Sequence, residues 1–198
     1  MLDGIDVSDW QGTVDWADHA EAGVAFAFAR ATEGGDLVDK LFERHWNGMG
    51  ESRIVRGAYH RARPEGDPIE QARRFLSAID AAGGLRAGDL VALALETAGG
   101  LRPEQVARHA RRWCHHVERH GGVRPFVHTF QAFARGGHCA GLGEYPLWIA
   151  APEKPRGEPA VPPPWRGWAI HQYVHSPIDR NVFHGTRQDL TKLGFHPR

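Results

Sequence analysis

The chain alternates short apolar runs with longer stretches in which apolar positions recur every three or four residues. The short runs predict β-strands, and the three- to four-residue spacing predicts amphipathic helices. Predicted strands cover residues 4–8, 24–30, 54–60, 90–96, 125–129, 146–150 and 168–174, with a last short strand near Ile178. Predicted helices cover residues 16–22 and 37–48, a segment after Asp67, a segment that begins at Pro103, and residues 188–192.

This order of elements predicts an α/β fold. Strand–helix alternation through five units indicates parallel strands joined by right-handed crossovers. Because eight strands are predicted but only the first five or so are followed by helices, we expect a shortened TIM-like β/α barrel; the full barrel needs about 250 residues. We expect one barrel domain over residues 1–198, with the Pro-rich stretch 151–164 as a long surface loop.

Composition narrows the class of protein. Hydrophobic residues make up 41% and charged residues 24%, which is near the globular average and excludes wholesale disorder. The 24 Lys and Arg residues balance 24 Asp and Glu residues, and this balance argues against a nucleic-acid binder. Apolar runs are too short for a membrane helix, so we expect no membrane insertion. We expect the chain to be made in the cytoplasm, since its first residues show no signal peptide. We also expect a monomer.

Two cysteines and thirteen histidines are the residues that invite a metal or redox interpretation. Cys114 and Cys139 match no zinc spacing; a single disulfide between them is open, but nothing favours it over two reduced thiols. His116 and His120 lie four residues apart on a predicted helix, yet a third ligand is missing, so a solvated basic face is the favoured interpretation. We therefore predict no metal and no cofactor.

Acidic residues recur at or near the predicted strand ends, where a β/α barrel places its reactive side chains. Asp6 lies in the first strand, Glu96 ends the fourth, and Asp179 follows the last, so barrel closure would bring them to one rim. Converging carboxyl groups separate acid from base roles, as hydrolysis of a glycosidic bond requires. Glu96 is the strongest candidate because an acid that closes so apolar a run is costly unless it is used or paired. For Asp9 and Glu33 we favour loop or capping roles.

Aromatic and histidine side chains near the same strands fit a sugar site. Flat rings stack on the apolar faces of sugars, although we expect about half of these rings to be core residues. His128 and His171 lie on predicted barrel strands, where they would bond sugar hydroxyls, titrate near neutral pH, or serve as buried structural residues. The aromatic candidates are Trp10, Tyr59, Trp148, Trp168 and Tyr173.

An ordered set of motifs resembles the family 25 glycoside hydrolases, the Chalaropsis-type lysozymes. The opening Gly4-Ile5-Asp6-Val7-Ser8-Asp9-Trp10-Gln11-Gly12 resembles the start of that family. Further similar blocks follow in order over nearly the whole chain: Arg30-Ala31-Thr32-Glu33-Gly34, Gly57-Ala58-Tyr59-His60, Pro146-Leu147-Trp148-Ile149-Ala150, Gln172-Tyr173 and Asp179-Arg180-Asn181-Val182-Phe183.

The resemblance implies a (β/α)5(β)3 barrel that hydrolyses the β-1,4 bond between N-acetylmuramic acid and N-acetylglucosamine in bacterial peptidoglycan. It implies that Glu96 is the general acid/base and that Asp6 and Asp179 are supporting carboxyl groups. A phage endolysin that waits in the cytoplasm, or an autolysin-like enzyme, fits this activity. The expected substrate-binding residues are Trp10, Tyr59, Arg61, His128, Trp148, His171, Gln172 and Tyr173.

The chain departs from the family pattern near the expected site. The family's Asp-x-Glu motif reads Ala94-Leu95-Glu96 here, so its Asp is replaced by Ala94. Three interpretations stay open: a muramidase in which Asp6 or Asp179 replaces the missing anion, a barrel that binds glycans without cleaving them, or a deliberate substitution. Further departures are Arg30 for Lys, Arg61 for Phe, His128 for Tyr and His171 for Trp.

Overall fold

The computed structural model describes residues 1–197, and within them nine strands form one sheet. The strands are β1 Leu2–Val7, β2 Phe26–Glu33, β3 Leu37–Val38, β4 Val55–Arg61, β5 Leu90–Ala94, β6 Phe126–Phe130, β7 Leu147–Ala150, β8 Ile170–Val174 and β9 Asp179–Phe183. The helices are α1 Trp16–Glu21, α2 Phe42–Glu51, α3 Pro68–Ala81, α4 Pro103–Gly121, α5 Gln131–Phe133 and α6 Arg187–Lys192. An irregular helical turn, Ala134–His138, continues α5.

Eight of these strands close into a barrel. The first strand, β1, pairs with β2 on one side and with β9 on the other, while β3 is a two-residue addition to β2. Neighbouring strands run parallel from β1 to β8, and β9 runs antiparallel to both β8 and β1. The predicted shortened β/α barrel is therefore confirmed, and its last three strands follow one another without a crossover α-helix within residues 1–197.

Alternation along the strands divides the core into two layers. Side chains that face the barrel interior form one cluster, which contains Phe26, Phe28, Leu90, Phe126 and Trp148. The opposite faces of the strands pack against the helices in a second, larger cluster. Crowding in the interior explains one glycine, because a Cβ at Gly57 would clash with the Phe28 ring.

One predicted element was wrong. The helix expected over residues 37–48 is split into β3 and α2, which begins at Phe42. Asp39 fixes the turn between them, because its Oδ1 accepts a hydrogen bond from the Leu41 amide at 2.9 Å and its Oδ2 accepts one from Arg30 Nε at 3.0 Å. The remaining boundaries agree with the predictions to within a few residues.

Two further expectations concern the cysteines and the membrane. Cys114 and Cys139 are both buried and form no disulfide within residues 1–197. Of the two states that the sequence left open, the structure therefore has two thiols and not a disulfide. No helix in this part of the chain combines the length and the apolar character that a bilayer span needs.

Candidate active site

A cleft of about 220 Å³ gathers the three predicted carboxyl groups. Asp6 comes from β1, Glu96 follows β5 by two residues, and Asp179 begins β9. Residues that are far apart in the sequence thus meet at one end of the barrel, where the parallel strands end. The other residues that line the cleft are Ser8, Trp10, Gln11, Arg30, Tyr59, Arg61, Ala94, His128, Trp148, Gln172 and His175.

Asp6 and Asp179 form a pair of acids across the β1–β9 ladder, where they lie directly opposite each other. Asp6 Oδ2 accepts hydrogen bonds from Gln172 Nε2 at 2.9 Å and Asn181 Nδ2 at 2.7 Å. Burial and then the charge of Asp179 nevertheless raise the pKa of Asp6 to about 7. Burial also raises the pKa of Asp179. Since one negative charge opposes the other, the pair keeps a proton close to neutral pH.

Glu96 lies in a different electrostatic environment, between two basic side chains. His128 Nδ1 lies 3.2 Å from Glu96 Oε1, and Arg61 Nε lies 3.4 Å from Glu96 Oε2. Burial acts to raise the pKa of Glu96, but the hydrogen bond and charge of His128, together with the charge of Arg61, outweigh it and lower the pKa to about 2. Burial acts to lower the pKa of His128, and Glu96 reverses this effect, so the net shift is upward. Below pH 6.5 the free site therefore pairs an ionised Glu96 with a protonated His128.

Ala94 occupies the position between these two bases. It pairs in register with Arg61 on β4 and with His128 on β6. Its side chain is almost fully buried at the wall of the cleft. The methyl group thus leaves this stretch of the wall without a carboxylate, and both neighbouring bases contact Glu96 instead.

Aromatic rings form the rim and the floor of the cleft. Trp10 is 84% exposed at the rim, which leaves its ring free to stack on a sugar. Trp148 is buried at the floor, where its Nε1 donates a hydrogen bond to Asn181 Oδ1 at 2.8 Å. Tyr59 and His128 pack edge-on against the Trp148 ring.

The structure does not bring two of the predicted substrate-binding residues to the cleft. On β8 the side chain of Gln172 faces the cleft, so His171 and Tyr173 face the outside of the barrel. His171 Nε2 donates to the Ala151 carbonyl at 3.0 Å, and its Nδ1 accepts from the Gly157 amide at 3.1 Å. These bonds attach the long loop to the barrel, so the position of His171 supports a structural role.

Four residues that line the cleft were not among the predicted site residues: Ser8, Gln11, Arg30 and His175. Arg30 is held by ion pairs to Asp9, Glu33 and Asp39. His175 Nδ1 lies 2.8 Å from Asp179 Oδ1, just past the end of β8. His175 directly follows β8, and a β/α barrel places its site at the carboxyl ends of its parallel strands. That rule could have identified His175 from the sequence. Among residues 1–197, no group of three His, Cys, Asp or Glu side chains is arranged to hold a metal ion.

A model of the glycosyl hydrolases family 25 matches residues 5–182. The chain belongs to this family. The predicted membership in family 25 is thus confirmed, and the protein is a glycoside hydrolase.

Relatives of this family 25 hydrolase cover almost its full length. Protein YegX of Escherichia coli (strain K12) is 33% identical over 202 residues, which are 96% of this chain and 72% of YegX. Lysozyme M1 of Streptomyces globisporus is 28% identical over 217 residues, which are 97% of this chain and 71% of that enzyme. The crystal structure of the bacterial lysozyme from Streptomyces coelicolor superposes with a TM-score of 0.88 at 28% identity, covering 98% of this chain and 96% of that one.

Proposed function

We propose that this family 25 hydrolase is a peptidoglycan muramidase that cleaves the β-1,4 bond between N-acetylmuramic acid and N-acetylglucosamine. The observation that carries the proposal is the meeting of Asp6, Glu96 and Asp179 in one open cleft. An exposed Trp10 at the rim supports binding of a sugar chain. The similarity to Lysozyme M1 supports the substrate class.

Glu96 is assigned as the general acid that protonates the leaving glycosidic oxygen. Its side chain is 30% exposed, against 16% for Asp179, and Asp6 is buried below them. A bound glycan therefore meets Glu96 first. Proton transfer by such a positioned carboxyl group contributes roughly 10²- to 10⁴-fold to the rate.

The Asp6–Asp179 pair takes over from the carboxylate that is absent at Ala94. When the pair holds one proton it carries one negative charge, which faces the positive charge that develops on the sugar ring. The ionised member of the pair then accepts a proton from the attacking water. This route inverts the anomeric configuration, and proton NMR of the first product tests it directly.

The main experiment measures reducing ends released from purified cell walls by four chains: the unmodified chain, Ala94→Asp, Glu96→Gln and the control Glu70→Gln. Glu70 is exposed on α3, away from the cleft, so its variant keeps the activity of the unmodified chain. We expect Glu96→Gln to lose at least about a hundredfold. We expect Ala94→Asp to gain roughly 10²-fold, because a restored charge stabilises the transition state. An unchanged rate for Glu96→Gln would refute the assignment.

A second candidate function is a barrel that binds wall glycans without cleaving them. The methyl group of Ala94 and the ionised state of Glu96 favour it, since a ground-state carboxylate is not an acid. Cosedimentation with walls, no reducing ends from the unmodified chain, and release by Ala94→Asp alone would identify a binder. If no variant releases ends, the substrate belongs to another class.

We also propose that residues 1–198 form one domain that acts as a monomer on the bacterial wall after synthesis in the cytoplasm and release in the manner of an endolysin. Light scattering of the purified chain tests the monomer. Expression in a bacterial host, with and without a membrane-permeabilising agent, tests the release. Lysis before permeabilisation would contradict it.

A further inference from the structure

The His128 ring is placed to exchange a proton with Glu96. Its Nδ1 lies 3.2 Å from Glu96 Oε1, and the ring packs edge-on against Trp148 with centroids 4.5 Å apart. The ring is buried, and its Nε2 has no hydrogen-bond partner among residues 1–197. Packing against Trp148 fixes the ring plane, so Nδ1 stays directed at the carboxyl group that the proposed reaction uses as its acid.

Charged groups from most of the barrel strands face this histidine. The carboxyl groups of Asp6, Glu96 and Asp179 favour a protonated ring. The two bases, Arg61 and His175, oppose it. Tyr59 on β4 stays neutral, because burial raises the pKa of its phenol, and Arg30 on β2 is balanced by its own acidic partners. The other titratable or charged groups that share the cleft with His128 are Asp6 on β1, Arg61 on β4, Glu96 after β5, His175 after β8 and Asp179 on β9.

We propose that His128 is a positioning residue that stores the proton which Glu96 delivers to the glycosidic oxygen. The proposal rests on the proposed muramidase function and adds a proton source to it. Glu96 is the residue that touches the substrate, and His128 acts through it. Arg61, on the other side of Ala94, contacts the second carboxylate oxygen and holds Glu96 in place.

The proton balance of the cycle is closed. In the free site the proton is on His128 Nδ1 and Glu96 is ionised. A glycan that fills the cleft excludes water, and a low dielectric favours the neutral pair over the ion pair, so the proton moves to Glu96. Glu96 then gives this proton to the oxygen as the C–O bond breaks. The attacking water forms the new C–O bond at the anomeric carbon and releases one proton to the Asp6–Asp179 pair. The pair then loses that proton to solvent, and His128 takes one up from solvent, which restores the free site.

Proton storage has a consequence for the pH range. The Glu96–His128 pair keeps one proton until the imidazolium loses it. Because the pKa of His128 is raised, this loss occurs above pH 6.5. An isolated Glu96 would lose its proton at a lower pH. His128 therefore extends the activity towards neutral pH.

The test compares pH profiles of kcat/KM for reducing-end release by the unmodified chain, His128→Gln and His128→Tyr. We expect the alkaline limb to lie above pH 6.5 in the unmodified chain and at least about one pH unit lower in both variants. The ratio of activity at pH 7 to that at pH 5 should fall about tenfold. His116→Gln, on the outer helix α4, is the control and should leave the limb in place. Equal losses at every pH would indicate a merely structural role and overturn the proposal.

Histidine NMR titration tests the pair without any turnover. The His128 signal, identified by its absence in His128→Gln, should titrate above pH 6.5, and in Glu96→Gln it should titrate below pH 6.5 because burial then dominates. A His128 that titrates below pH 6.5 in the unmodified chain overturns the proposal. A chain that titrates as expected but cleaves no wall refutes the muramidase function and the delivery step with it. If the unmodified chain cleaves walls but the His128 variants keep its alkaline limb, only the transfer of a proton from His128 to Glu96 is refuted.

Discussion

Asp6 should destabilise the folded chain at neutral pH. It accepts two hydrogen bonds and still has a pKa of about 7, against 3.8 for an ordinary Asp, because burial and Asp179 oppose its charge. The folded chain thus binds this proton more tightly than the unfolded chain does. The resulting stability is fully present below pH 4 and is lost as the pH rises to about 7. At about 1.4 kcal/mol per pH unit, the loss amounts to about 4 kcal/mol.

Asp6→Asn should remove this penalty. The amide oxygen of Asn can accept both hydrogen bonds from Gln172 and Asn181, and the side chain stays neutral at every pH. We expect the variant to match the unmodified chain near pH 4 and to exceed its free energy of unfolding by several kcal/mol at pH 8. Wall-cleaving activity should fall in the same variant, since active sites commonly trade stability for function.

Urea unfolding at pH 4, 5, 6, 7 and 8 measures the difference between the two chains. Taking the difference cancels the titrating groups whose pKa the substitution leaves unchanged. Asp80→Asn, an exposed change near the end of α3, is the control and should give a difference independent of pH. Parallel curves for Asp6→Asn and the unmodified chain over the whole range would refute the reasoning.

Three other substitutions test the rim, a buried ion pair and the barrel interior. Trp10→Ala should raise KM roughly fivefold, for a stacking loss of about 1 kcal/mol, while the urea midpoint stays the same; an unchanged KM would remove Trp10 from the sugar site. Asp89 Oδ1 lies 3.0 Å from Nε of the buried Arg56, so Asp89→Ala leaves this guanidinium without its carboxylate. The substitution should lower the free energy of unfolding by about 3–5 kcal/mol. A loss below about 1 kcal/mol in urea or thermal unfolding would contradict this expectation. Gly57→Ala should cost about 1–3 kcal/mol in urea unfolding, and Phe28→Leu should recover part of that loss if the clash with this ring is the cause.

The barrel could be predicted from the sequence because its signals are local. Strand β5, which ends two residues before Glu96, is apolar throughout, as burial on both faces requires. Asp67 caps α3 through hydrogen bonds to two amides. The wrong helix over residues 37–48 has a non-local cause, since Asp39 is drawn to Arg30 on a neighbouring strand. Spacing along the chain contains no information about that partner.

The outward placement of His171 and Tyr173 on β8 could have been predicted, because side chains alternate along a strand. Gln172 and its neighbours His171 and Tyr173 cannot all face the cleft, and the structure turns the two neighbours outward. The ionisation of Glu96, in contrast, depends on His128 and on the register that sets it beside β5. Register between strands follows from closure of the whole barrel, so the sequence alone could not predict which acid is protonated.

The position of the two paired acids also determines when the site can form during synthesis. Asp6 is on the first strand and Asp179 on the last, and they meet only across the seam that joins these strands. A nascent chain that still has β9 inside the ribosome lacks Asp179 opposite Asp6, whatever the state of its other seven barrel strands. The cleft of each copy therefore has its full set of carboxyl groups only after the ribosome has released the final barrel strand.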